Sequence, residues 1–205
     1  MTQNITPPNV NAGAPQVLSC SVTSINLNGS SSTAGATFSW AGPGIVTGGT
    51  TASPTVDQAG TYILTMTDPA NGCTATANTT VTNDLGLPNA SAGAAQILNC
   101  SVTSVVLGGS SSTGGATFSW AGPGIVSGGT SATPTVNQPG AYTITVTDPS
   151  NGCTSTSNVN VTQNITPPNA NAGATQILTC TATSVVLTGS SSTGGATFSW
   201  AGPGI

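Results

Sequence analysis

The five cysteines are the side chains best equipped for covalent chemistry, and their spacing is regular. Cys20, Cys100 and Cys180 recur at an interval of 80 residues, as do Cys73 and Cys153. Thiols in such a pattern form disulfides, remain as reduced core residues, or hold a soft metal. Metal is the weakest of the three, because each repeat offers two thiolates and the chain has no His, whereas a zinc site takes about four nitrogen or sulfur ligands. The separation of 53 within each repeat predicts one disulfide per repeat, Cys20–Cys73 and Cys100–Cys153, with the partner of Cys180 falling at position 233, beyond the chain. Closing a loop of about fifty residues contributes about 4 kcal/mol in the chain-entropy account. Disulfides persist in oxidising compartments, so the expected location is extracellular or at the cell surface.

Other chemistry is sparsely provided for. The chain has no Lys, Arg or His, and its only carboxylates are Asp57, Asp68, Asp84 and Asp148. General acid–base catalysis wants a group titrating near working pH, and a phosphate backbone wants cations. No catalytic residue, cofactor or nucleic-acid partner is therefore expected. The turn Asp68-Pro69-Ala70-Asn71-Gly72-Cys73 and its copy at 148–153 suggest calcium, but calcium takes six to eight oxygens, and Asp57 is replaced by Asn137 in the second repeat. A hairpin turn closed by Asn-Gly is the favoured reading of both. Gly42-Pro43-Gly44 with Gly48-Gly49 lacks the Lys and following helix of a phosphate loop, and reads as turns. Phe38 and Trp40 suggest a sugar-stacking pair, yet their i, i+2 spacing places both on one sheet face and favours core packing.

Asn-X-Ser/Thr triplets start at Asn4, Asn28, Asn78, Asn89, Asn99, Asn160 and Asn164. Clusters Ser30, Ser31, Ser32, Thr33; Ser110, Ser111, Ser112, Thr113; and Ser190, Ser191, Ser192, Thr193 are candidate O-glycan sites. Covalent glycans have a physical motive here, since sheet edges without Lys, Glu or Arg lack the usual protection against lateral pairing.

The elements that must carry these residues read as β-strands. ATFSW (36–40) puts Ala36, Phe38 and Trp40 on one face. TYILTMTD (61–68) turns Tyr62, Leu64 and Met66 inward, and VLSCSVTSINLNG (17–29) and TATANTTVT (74–82) alternate likewise. Gly60-Thr61-Tyr62 and Gly140-Ala141-Tyr142 resemble a tyrosine corner, in which the phenol ties down a loop. Short strands broken by Gly, Pro and Asn predict an all-β fold with almost no helix. No apolar run of about 20 residues is present, so no transmembrane segment is expected. Met1-Thr2-Gln3-Asn4 lacks a basic start and an apolar stretch, so no signal peptide is expected there either.

The whole is one module written two and a half times. Residues 1–8 read as the end of a preceding repeat and linker, 9–83 as β-sandwich repeat 1, 84–88 as a linker, 89–163 as repeat 2, 164–168 as a linker, and 169–205 as an incomplete repeat 3. The expectation is a window cut from a longer array. The half-repeat is either a truncation or is completed by strand donation from another subunit. Pro pairs at Pro7-Pro8 and Pro167-Pro168 predict stiff joints.

The phrases NAGxxQxLxC, TSVxLxGSSS, GATFSWAGPGI and PGxYTxTVTDPxNGC together resemble the polycystic-kidney-disease-type and immunoglobulin-like repeats of giant secreted surface proteins of gliding bacteria and their relatives. The resemblance implies a sandwich of about seven strands per 80-residue repeat, export, and work in adhesins, stalks or filaments. The chain departs from the kidney-disease repeat in having FSWAGPG where that repeat carries a WDFGDG-like stretch. The expected function is thus an extracellular structural repeat protein forming a rigid surface fibre, stalk or filament, and not an enzyme. Its expected partners are further copies of the repeat, in one chain or in neighbouring subunits. Two alternatives are an adhesin whose repeats bind glycans or a host surface, and accessory repeats of a secreted hydrolase.

Overall fold

The structure is a computed structural model and describes residues 4–205. Met1–Gln3, part of the expected tail of a preceding repeat, lie outside the described residues. Seven strands build a first sandwich: β1 (Gln16–Ser19), β2 (Ile25–Asn26), β3 (Thr37–Ala41), β4 (Ile45–Thr47), β5 (Thr55–Val56), β6 (Gly60–Thr67) and β7 (Thr74–Asp84). A second follows with β8 (Gln96–Asn99), β9 (Val105–Val106), β10 (Thr117–Ala121), β11 (Ile125–Ser127), β12 (Thr135–Val136), β13 (Gly140–Thr147) and β14 (Thr154–Asn164). In the first, a sheet ordered β1-β7-β6-β3 faces a sheet ordered β2-β5-β4, and the second repeats this arrangement. No helix occurs among the described residues.

Alternation along β6 and β3 makes the core. Tyr62, Leu64 and Met66 are fully buried and Trp40 nearly so, while Thr37, Ser39 and Thr61 face outward. Val56 and Leu27 close the cluster from the opposite sheet. The Trp40 indole N–H donates to the Thr51 carbonyl at 3.0 Å, so the one polar atom of this large ring has a partner. Gly42 has no room for a side chain, because a Cβ there would lie 2.5 Å from the Tyr62 ring. The second core is built from the counterparts Trp120, Val136, Tyr142, Ile144 and Val146.

The two cores differ at one informative position. Thr79 is buried and its hydroxyl has no partner, whereas its counterpart Val159 is buried and apolar. An unpaired buried hydroxyl costs about 1–3 kcal/mol. Thr79→Val is expected to stabilise the first sandwich by about 1 kcal/mol, since shape is kept and the desolvated group is removed. A rise in the urea midpoint checks this, and a fall contradicts it.

The tyrosine corners form. The Tyr62 hydroxyl donates to the Gln58 carbonyl at 2.6 Å, and Tyr142 to Gln138 at 2.6 Å with Pro123 as a second acceptor. Burial pushes both phenols above their ordinary 10.0, and the Asp57 carboxylate adds to the effect at Tyr62. A raised folded-state pKa means stability that is complete below the unfolded value and lost as pH climbs through the folded one. Urea midpoints should therefore drop above pH 10, and the double change Tyr62→Phe, Tyr142→Phe should flatten that drop. An unchanged alkaline slope in the double variant contradicts the assignment.

Several expectations are revised. The strand foreseen over 17–29 is two strands, with Cys20 in the turn between them. β4 and β5, at three and two residues, carry too little alternation to be seen beforehand. Ser31 and Thr33 are occupied internally: Ser31 donates to the Asn9 carbonyl at 2.5 Å, and Thr33 Oγ1 accepts from the Asn9 amide at 3.1 Å. The Asn89 and Asn169 amides bond Thr113 and Thr193 in the same way. These clusters clip each linker onto its module. Residues 169–205 form no strand, only the isolated bridge Asn171–Ser190. Phe198 and Trp200 are 56% and 38% exposed there, because no counterpart of β6 pairs with them.

Candidate functional site

The site with chemistry is the junction between the sandwiches. β1 runs parallel to β7 with Ser19 opposite Asp84, so the turn after β1 emerges at the end where the chain leaves for the second sandwich. That turn is closed by Ser19 N–H to the Val22 carbonyl at 2.9 Å and by Val22 N–H to Ser19 Oγ at 3.1 Å. It presents Cys20 and Ser21. Facing it is the β13–β14 hairpin, Asp148-Pro149-Ser150-Asn151-Gly152-Cys153. Its ends are tied by Asp148 N–H to the Cys153 carbonyl at 2.9 Å.

Cys20 is bonded to Cys153, with Cα atoms 5.0 Å apart and 133 residues between them in sequence. This corrects the expected pairs Cys20–Cys73 and Cys100–Cys153. The reason is the parallel pairing of β1 with β7. Cys73 precedes the eleven-residue β7, while Cys20 lies level with its far end. At about 3.3 Å per residue the two are roughly 35–40 Å apart, far beyond disulfide reach. Cys73, Cys100 and Cys180 are free.

Polar contacts lock the same junction. Asn151 is 3% exposed. Its carboxamide donates to the Gly86 carbonyl at 2.9 Å and to Asp84 Oδ1 at 3.1 Å, and accepts from Cys153 N–H at 2.9 Å. The Ser21 amide and hydroxyl donate to the Asn151 carbonyl at 3.1 and 3.2 Å. Gly152 has φ +73, and a Cβ on it would lie 2.6 Å from that of Ser21. Glycine there meets both the left-handed turn and the close approach. Ser150 donates twice to Asp148 Oδ1, which holds that carboxyl below its ordinary value. The hairpin was legible as an Asn-Gly turn, but its role as a clamp was not, since Asn151, Asp84, Gly86 and Ser21 meet only through tertiary packing.

The other candidate residues are scattered. All seven sequon asparagines, Asn4, Asn28, Asn78, Asn89, Asn99, Asn160 and Asn164, are exposed, as are Ser30, Ser32, Ser110, Ser112, Ser190 and Ser192. Phe38 is half-buried beside Trp40, as core packing requires. Among the described residues, no three His, Cys, Asp or Glu side chains gather in one place. No helix among them is long and apolar enough to cross a membrane. The covalent chemistry present at the junction is one formed disulfide, Cys20–Cys153.

No protein-family model and no curated protein matches the sequence. Among solved structures, the chain is similar to an I-band fragment from titin at 14% identity, covering 80% of this chain and 68% of that one, with TM-score 0.37. It is similar to three N-terminal domains of the bacteriophage RB49 highly immunogenic outer capsid protein at 14% identity, covering 82% and 60%, with TM-score 0.44. It is also similar to the four N-terminal Ig domains of Dscam1 isoform 1.9 at 13% identity, covering 77% and 46%, with TM-score 0.31.

Proposed function

We propose that the chain is an extracellular structural repeat protein, a length of rigid surface fibre, stalk or filament. The observation that carries this reading is the Cys20–Cys153 bridge, which joins one sandwich to the next instead of closing either. A bridge placed there fixes the angle between modules. The Asn151 carboxamide adds two hydrogen bonds across the same end, to Asp84 and Gly86. Nothing comparable would be needed by modules acting as independent binding heads on flexible linkers. The near-identity of the copies supports spacing rather than recognition, and resembles the repeats of giant bacterial surface proteins.

The module boundaries proposed are those read from the sequence, 9–83 and 89–163 with linkers 84–88 and 164–168. An oxidising exterior suits the bridge. Covalent glycans on the exposed asparagines and serines would cover uncharged sheet edges. Small-angle scattering of the oxidised chain tests the mechanical reading. A rod with a fixed maximum dimension, broadening on reduction, is the expected result. A profile spread over many inter-module angles in the oxidised chain overturns it. Intact mass of the protein from its native source, equal to the bare polypeptide, would remove the glycans without touching the rod.

A further inference from the structure

We infer that Asn151 is a deamidation site held in check by the Cys20–Cys153 bridge: the closed junction keeps its carboxamide intact, and opening the junction lets it convert to aspartate or isoaspartate, after which the junction no longer closes well. Asn151 is followed by Gly152. Glycine has no side chain to shield its backbone nitrogen and leaves the chain free to bend. An asparagine before glycine is therefore among those most readily attacked by the nitrogen that follows it.

The only co-reactant is water. The Gly152 nitrogen attacks Cγ of Asn151, and a C–N bond forms as the bond from Cγ to Nδ2 breaks. Nδ2 leaves as ammonia, carrying the proton that the Gly152 nitrogen loses. The five-membered succinimide then takes up one water. Opening at Cγ gives aspartate. Opening at the backbone carbonyl gives isoaspartate, which brings the β-carbon into the main chain.

In the closed junction the groups this reaction needs are occupied. The Gly152 N–H, whose hydrogen must be lost, donates to the Asp148 carbonyl at 2.8 Å. Asn151 Oδ1 accepts from Cys153 N–H at 2.9 Å, and Nδ2 donates to the Gly86 carbonyl at 2.9 Å and to Asp84 Oδ1 at 3.1 Å. Turning the carboxamide toward the Gly152 nitrogen breaks bonds in a site shut off from water, where lost partners are not replaced. The bridge holds this arrangement from both sides. Cys153 is two residues beyond Asn151, and Ser21, next to Cys20, caps the turn through two bonds to the Asn151 carbonyl.

Asp84 makes the change one-way. Deamidation puts a carboxylate oxygen where the Nδ2 donor stood, so two carboxylates face each other and the Gly86 carbonyl loses its donor. The same dipeptide at Asn71-Gly72 is a reference within the chain. Asn71 is half-buried, its Nδ2 donates to the Thr6 carbonyl at 3.0 Å, and a Cβ on Gly72 would meet nothing within 4 Å. Asn4 stands where Asp84 stands at the junction.

The test uses the full chain with Cys73→Ser, Cys100→Ser and Cys180→Ser, which leaves the bridge as its one thiol pair. It is incubated at mildly alkaline pH, oxidised or with a dithiol that reduces the bridge and becomes a disulfide itself. Peptide mass mapping with isoaspartate detection follows each asparagine. In the oxidised chain Asn71 should convert and Asn151 should not. Reduction should speed conversion at Asn151 by about tenfold or more, since the rate follows the population of the locally open state. Cys20→Ser should do the same without reductant, with far-UV circular dichroism showing that the strands persist. Equal rates at Asn151 in the oxidised and reduced chains overturn the gate. Asn151→Asp supplies the product directly. In a glutathione buffer its bridge should form with an equilibrium constant lower by roughly tenfold or more, as facing like charges require, and adding Asp84→Asn should restore it. A bridge that forms as readily as in the parent overturns the one-way step, and failure of Asp84→Asn to restore it overturns the part given to the facing carboxylates.

Discussion

Cys20→Ser with Cys153→Ser is expected to cost the oxidised chain about 4–5 kcal/mol and to uncouple its two sandwiches. The bridge closes a loop of 133 residues, for which the chain-entropy estimate is about 5 kcal/mol. That loop holds most of the first sandwich and most of the second. Unfolding either one alone must still bring a long segment back to a fixed point, so each module draws on the bridge. Urea unfolding with the remaining thiols alkylated should show one transition in the parent chain and two, at lower urea, in the variant. Coincident curves would show that the bond is an ornament on a junction already held by Asn151. The bonded chain treated with reductant should copy the variant, which separates the bond from the substitutions.

The second large effect compares one phrase in two surroundings. Trp40→Ala is expected to cost about 3–5 kcal/mol, the range for removing a large aromatic ring from a packed core. Trp40 is 6% exposed, lies against Leu64 in register, and its indole N–H is bonded. Trp200→Ala should change stability by less than about 0.5 kcal/mol, because that ring is 38% exposed and its strand has no partner. Thermal and urea melts of the two variants check the contrast. Equal losses would mean that residues 169–205 are packed against something in solution.

That contrast also shows what a sequence can and cannot disclose. GATFSWAGPGI is written three times, yet it forms β3 and β10 and no strand at 197–200. Alternation specifies which side chains want a core, and pairing decides whether a strand exists. Where partners are present the reading succeeds: Tyr62, Leu64 and Met66 are fully buried as their period requires. The junction was not legible for a different reason. In an array of fixed period, separations of 53 and 133 both occur between the same two classes of cysteine, so spacing alone does not choose between them. The choice is made by β1 lying parallel to β7, a pairing of residues far apart in sequence that leaves no local signature. Nor did the sandwich depend on the expected bridge. Its core closes through apolar burial, and the one disulfide lies at the joint.

A pull on the two ends of this pair would travel along a short covalent route. Tension entering before Cys20 crosses the sulfur atoms and leaves after Cys153, so β2 to β13 hang outside the line of force. Even if both cores opened under load, the slack stored in that detour, roughly 450 Å of extended backbone at about 3.4 Å per residue, would stay out of reach until the bond was reduced. The bridged pair would then behave as a tether of nearly constant length, giving only at residues 4–19 and 154–164.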